Sequence, residues 1–199
     1  MSRTFLEQKT RFGKLTKNST TANLSYGGDL INDKTRQLLT SYNWYFLEKQ
    51  ATDTTVANQI FYPFSGFSAT DVQKVMKVQI EVGDIVYDLV EVSSWEEWNL
   101  LNSVTYESDT PTFFFVYNES VGVYPEPSNG GNTMTLTYRK EIADQSLDGD
   151  ETEMPFGFEM LPVYQAVAEY YLPEENKLSQ YDRFTLLATN LFKDMQEQY

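Results

Sequence analysis

The sequence predicts an α+β chain: an α-helical bundle formed by the N- and C-terminal segments, with an inserted antiparallel β-sandwich or barrel domain. Three observations predict it. Apolar residues recur at helical spacing near both chain ends. The period drops to two in the middle. Gly, Pro and Asn clusters punctuate that middle part at short intervals. The resulting boundaries are 1–50 for the first part of the bundle, 51–143 for the β domain, and 144–199 for an acidic connector and the second part of the bundle.

The first helix opens at Thr4. Thr4 as N-cap and Glu7 form a capping box, each satisfying one free N–H, and Phe5, Leu6, Lys9 and Phe12 follow until Gly13 weakens the pattern. The polar run from Lys17 to Asn23 reads as a loop. A second helix starts near Asp29, a good N-cap after Gly27-Gly28. Ile31, Leu38, Tyr42 and Tyr45 give its apolar face, Leu30, Leu39 and Phe46 thicken it, and the pattern ends near Trp44 to Leu47.

From Gln59 the period changes. Ile60 to Phe64 is a short apolar run closed by Pro63. Met76, Val78, Ile80 and Val82 alternate with polar residues as a half-buried strand, Gly83-Asp84 is a turn, and Ile85 to Val92 is the hairpin partner. Trp95 to Leu101 makes one or two helical turns capped by Ser93 or Ser94. Thr112 to Tyr117 and Val121 to Tyr124 are further strands, and Pro125, Pro127 and Asn129-Gly130-Gly131 form a turn. Met134, Leu136 and Tyr138 mark the clearest strand of the chain.

The stretch from Ile142 to Glu153, rich in Asp and Glu, reads as an exposed connector. Helical spacing then returns in Leu161, Tyr164, Val167, Ala168 and Tyr171. Pro162 falls in the first turn, where its missing N–H costs little, and Pro173 interrupts the pattern. Leu178, Tyr181, Phe184, Ala188, Leu191, Met195 and Tyr199 line a final amphipathic helix, widened by Leu187 and Phe192.

Composition narrows the chemistry. The 199 residues include no Cys and no His, and Lys plus Arg (15) against Asp plus Glu (29) gives −14. No disulfide, thiolate nucleophile, Ser-His or Cys-His dyad, or zinc site with Cys or His ligands can form. The aromatic content (14 Tyr, 13 Phe, 3 Trp) is too high for a disordered chain. The longest apolar run, Phe113 to Tyr117, is too short to span a membrane, and no apolar segment follows the N-terminus. We therefore expect a soluble protein made in a cytoplasm, with no membrane partner. The acidic balance argues against a nucleic acid held through its phosphates.

Catalytic and metal readings find little support. Glu96 and Glu97 are neighbours on a helix and point in different directions, so they do not share a substrate. The segment Asp144 to Glu151 echoes a calcium loop with Gly149 in sixth place, but Leu147 occupies a ligand position and the twelfth place falls on Pro155. No phosphate-loop motif is present. The chain is read as no enzyme, with no cofactor. A carbohydrate-binding β-sandwich module is an alternative; it requires a flat exposed aromatic row, best supplied by Trp95, Trp98 and Tyr106.

The order of motifs resembles the bacteriophage head-to-tail adaptor proteins, the head-completion or connector family that includes tail tubular protein A or gatekeeper proteins. The N-terminal helices end in Trp44-Tyr45-Phe46-Leu47. Asn58-Gln59-Ile60-Phe61-Tyr62-Pro63 is similar to the family's entry into its β domain, and Val72 to Val78 to the strand that follows. Pro111-Thr112-Phe113-Phe114, Val121 to Pro127 and Leu136 to Lys140 resemble later strands. Met154-Pro155 and Leu161 to Leu172 resemble the returning helix. The chain departs from the family pattern at Pro162 and in its long acidic connector.

The resemblance implies a structural virion protein of the neck, assembled as a dodecameric ring under the portal protein, with a tail or nozzle protein docking on the far side. Double-stranded DNA passes through the ring without specific binding, and the chain occupies the host cytoplasm during assembly. Another tail or neck ring component is a second reading. Portal or neighbouring-subunit contacts are expected at Tyr181, Phe184, Leu187, Leu191, Phe192 and Tyr199, and tail contacts at Glu107, Ser108, Asp109, Asn129 and Gly130.

Overall fold

A computed structural model describes residues 2–103, 110–172 and 174–199. Tyr106, Glu107, Ser108, Asp109 and Pro173 lie outside the described residues. The helices are α1 (Phe5–Thr16), α2 (Thr21–Thr40), α3 (Trp95–Asn102), α4 (Leu161–Tyr171) and α5 (Leu178–Gln198). The strands are β1 (Glu48–Thr54), β2 (Phe61–Pro63), β3 (Val72–Val82), β4 (Ile85–Asp88), β5 (Val90–Glu91), β6 (Phe113–Tyr117), β7 (Ser120–Tyr124) and β8 (Thr133–Lys140). The fold is α+β. It divides into a unit of Met1–Phe46 with Ile142–Tyr199 and a unit of Leu47–Glu141.

In the helical unit, α1 opens on the expected capping box: Thr4 N–H donates to Glu7 Oε2 at 3.0 Å, and Glu7 N–H donates to Thr4 Oγ1 at 3.4 Å. The second helix begins well before Asp29, with Thr20 as N-cap. Gly27 and Gly28 are helix interior, where α1 packs. A Cβ on Gly27 would lie 2.3 Å from Phe12 Cδ1, and one on Gly28 would lie 3.0 Å from Phe5 Cζ. These glycines permit a close helix approach and do not start a helix. α2 ends at Thr40, short of the expected end, and Tyr45–Leu47 forms a separate 3-10 turn. Trp44 is buried, and its Nε1–H donates to the Leu38 carbonyl at 3.1 Å, satisfying a group near the helix end. α4 touches α1, α2 and α5. Its Val163, Ala166 and Val167 complete a core with Phe5, Phe12, Ile31 and Phe184.

The acidic connector is not a free exposed strand of chain. Phe5 N–H donates to Asp150 O at 2.8 Å and Leu6 N–H to Asp148 O at 3.0 Å, so the segment satisfies the open N-terminus of α1. Lys9 pairs with Asp148 at 2.6 Å, Arg36 with Asp144 at 2.5 Å, and Asn32 donates to the Gln145 carbonyl at 2.9 Å. Asp144 and Asp148 are thus tethered by cations on α2 and α1 while staying exposed, and Ile142, Gln145 and Thr152 are buried.

The other unit holds two sheets, ordered β1-β8-β3-β4 and β2-β7-β6-β5. They share a core of Tyr62, Val78, Ile80, Phe114, Val121 and Leu136 and do not close into a barrel. Pairing is antiparallel except between β5 and β6. Three strand expectations are corrected. β1 was not anticipated, because it is a polar edge strand with no buried residue. Met76 is exposed, not inward, because irregular pairing between Val75 and Lys77 shifts the phase of β3 and turns Val75 into the core. The partner of β3 ends at Asp88. The chain then crosses at buried Leu89 and enters the second sheet as β5, parallel to β6. The expected Gly83-Asp84 turn is present, with Gly83 at φ 64°, and Asn118 (φ 48°) and Glu119 (φ 57°) make a further tight turn between β6 and β7.

Candidate docking surfaces

The helical face of α5 is divided by its own unit. Phe184 is buried, stacked on Tyr164 with centroids 6.1 Å apart and on Tyr171 at 6.4 Å. The ring of Phe192 meets Trp44 edge-on at 6.1 Å, and Tyr199 contacts Tyr45 at 5.6 Å, Phe46 at 5.3 Å and Phe158 at 6.0 Å. Tyr181 and Leu191 are half-buried. Leu187 is 37% exposed, and Leu186, outside the stripe read from spacing, is 61% exposed. Much of the aromatic face therefore holds α5 to α4 and to the end of the N-terminal segment. The outward remainder centres on Leu186 and Leu187.

Beside that remainder lies a cleft of about 610 Å³ among α2, α4 and α5. Tyr181 and Phe192 line it with Leu38, Ala168 and Leu172, and the Lys34–Glu169 ion pair lies at its polar side. A second depression of about 590 Å³ follows α1, lined by Arg3, Arg11 and Lys14 with Leu6, Met160 and Tyr164.

In the β unit, Asn129 and Gly130 sit exposed on the β7–β8 turn. A Cβ on Gly130 would lie 3.0 Å from the Thr55 carbonyl, so the turn lies close on the chain after β1. Ile85, Val86 and Tyr87 on edge strand β4 are all exposed.

The SU10 adaptor protein family matches residues 3–199. The chain belongs to this phage head–tail adaptor family. No curated protein matches it. Membership gives the chain a structural adaptor role in the virion, and its partners are portal and tail proteins.

No group of three or more acidic residues placed to hold a metal occurs among the described residues, and no described helix is long and apolar enough to cross a membrane. Asp150 serves its own loop: its Oδ2 accepts from the Ser146 and Leu147 N–H groups, each at 2.7 Å, and these bonds hold its carboxyl below the usual carboxylate range. Asp71 is likewise lowered, first by the Lys49 ammonium and then by the Tyr138 hydroxyl at 2.9 Å.

The aromatic row needed for a sugar-binding module is not assembled as expected. Trp98 is buried against Phe115 and Tyr124, because α3 lies on β6 and turns that ring inward. Trp95 does stay exposed beside exposed Tyr117, with centroids 5.0 Å apart. The sequence reading missed Leu186, the cleft residues Leu38, Ala168 and Leu172, and the α1 depression. A signal for the last was present: Arg3, Glu7, Thr10, Arg11 and Lys14 recur at the spacing of one helix face.

Proposed function

We propose that this adaptor forms a ring under the portal, extends the DNA channel and supplies the tail-docking surface in the virion neck. The family match over residues 3–199 carries the reading. The helical unit, bundled from both chain ends, is the portal-side domain, and the β unit, a sandwich inserted into it, is the tail-side domain. Portal or neighbour contact falls to the outward part of α5 and the adjoining cleft, through Leu187, Leu191, Tyr181 and Phe192, with Leu186 added. Phe184 and Tyr199 set the pose of that helix. Tail contact falls to Asn129 and Gly130, and to the segment containing Glu107, Ser108 and Asp109.

The charge supports a channel that lets DNA pass. A chain of −14 repels phosphate, and a dodecameric ring multiplies that field. Assembly proceeds in the host cytoplasm. The test is co-sedimentation of the purified chain with portal rings, viewed by negative-stain microscopy. An added layer on one face of the portal is the expected result, and a bare portal with folded chain in the supernatant would refute the portal-side reading. Titration with polysaccharides is expected to leave tryptophan fluorescence unchanged. Quenching would transfer weight to a sugar site at Trp95 and Tyr117.

A further inference from the structure

We propose that the groove along α1 receives the β3–β4 hairpin of a second copy of this chain. The contact rests on the adaptor reading in that it would join neighbouring subunits of the ring.

The charge of the chain is unevenly distributed. Up to Asn18 the sequence carries Arg3, Lys9, Arg11, Lys14 and Lys17 against Glu7 alone. The unit Leu47–Glu141 carries 5 Lys and Arg against 14 Asp and Glu, or 5 − 14 = −9. Among the described residues, Lys9 is paired with Asp148, whereas Arg3, Arg11 and Lys14 make no ion pair. These three line the α1 groove, together with apolar Leu6, Met160 and Tyr164. Leu6 is 46% exposed there. The Glu7 carboxylate also lines the groove, but it accepts the Thr4 N–H in the capping box. The groove therefore offers cations and apolar surface together.

The β3–β4 hairpin offers the complement. Asp84 in its turn and Glu81 just before it make no ion pair, while Asp88 is held by Lys77 and Gln79. Ile85 (57%) and Val86 (56%) project beside those acids, on an edge strand with no Pro or Lys to blunt it. Opposite charge around an apolar centre gives both register and attraction. DNA fits the groove less well, since phosphates gain nothing from Leu6, Met160 and Tyr164. Groove and hairpin are different surfaces, so the contact runs head to tail, the arrangement that closes into rings.

The chain contains no Cys, so introduced thiols can pair only with each other once any thiols of the portal have been alkylated. Thr10, in the groove, and Ile85 are both exposed, so their substitution leaves the fold intact. The variant carrying T10C and I85C is oxidised alone and bound to portal rings, and run on a non-reducing gel. A ladder of dimers, trimers and higher species is expected, collapsing with reductant. T10C alone and I85C alone give no ladder. Adding R11E and K14E should abolish the ladder, and adding E81K and D84K as well should restore it. Absence of a ladder from the portal-bound chain would overturn the proposal and leave the adaptor reading standing. A ladder indifferent to charge reversal would also overturn it. So would a duplex-DNA gel shift that R11E and K14E remove while no variant cross-links, which would assign the groove to phosphate.

Discussion

Replacing Gly27 with Ala is expected to destabilise the helical unit, although in an ordinary helix interior the same change stabilises by about 1 kcal/mol. The reason is the ring of Phe12. A Cβ at position 27 would lie 2.3, 2.6 and 2.8 Å from three of its atoms. Phe12 is fully buried and packs edge-on against Tyr170 at 5.7 Å, so it has no open space to turn into. Overpacking a filled core costs about 1–3 kcal/mol, and three atoms inside van der Waals contact place this case at the upper end. After subtracting the propensity gain, a net loss of about 2 kcal/mol remains. For a chain of this size that lowers Tm by roughly 4–8 °C. Urea unfolding followed by circular dichroism at 222 nm, which reports chiefly the helices, gives the number. The decisive comparison is a double-mutant cycle with Phe12→Leu, in which the clashing ring is gone. There Gly27→Ala should be neutral or stabilising. A midpoint for G27A at or above that of the parent chain, or an equal loss in both backgrounds, would refute the close-approach argument. Gly149→Ala, which faces open space, is the control and should leave the midpoint unchanged.

Trp44→Phe should cost about 1 kcal/mol, seen as a lower urea midpoint, because it removes the buried bond to the Leu38 carbonyl, which then keeps only the Ser41 hydroxyl at 2.8 Å. Asp71→Asn tests the acid side. The carboxyl is depressed in the fold, so its stabilisation is present above the unfolded-state pKa of about 4 and is lost as pH falls through the lower folded value. The urea midpoint of D71N should therefore fall less than that of the parent on acidification below about pH 4; for so exposed a pair the difference is at most about 1 kcal/mol. Leu186→Glu with Leu187→Glu should keep the melting profile, since both side chains are exposed, and should abolish co-sedimentation with portal rings.

Local signals were legible in the sequence. The Thr4–Glu7 box, the Gly83-Asp84 turn, a serine cap on α3 (Ser94, of the two serines read as candidates) and the alternation of β8 each depend on residues a few positions apart. The failures depended on distant residues. Gly27-Gly28 looks like a helix boundary until Phe12 and Phe5 are brought against it. Met76 continues a regular alternation, and only the irregular pairing with β8 reverses it. β1 has no apolar face and is a strand only because β8 lies beside it. At the candidate site, spacing showed that α5 has one apolar face. It could not show that Phe184 is covered by Tyr164 and Tyr171 while Leu187 is left outside.

The first and last strands of the β unit are neighbours: Glu48 stands opposite Arg139, and seven residue pairs join β1 to β8. The polypeptide thus enters and leaves the unit at one end of one ladder. Tension between the two units would enter at that end and peel the rungs singly, like a zipper, instead of loading all seven at once. The same geometry makes the unit a cassette. A foreign domain whose termini lie side by side could replace it without altering how the flanking helices are strung together, so the surface of one unit can change while that of the other is kept.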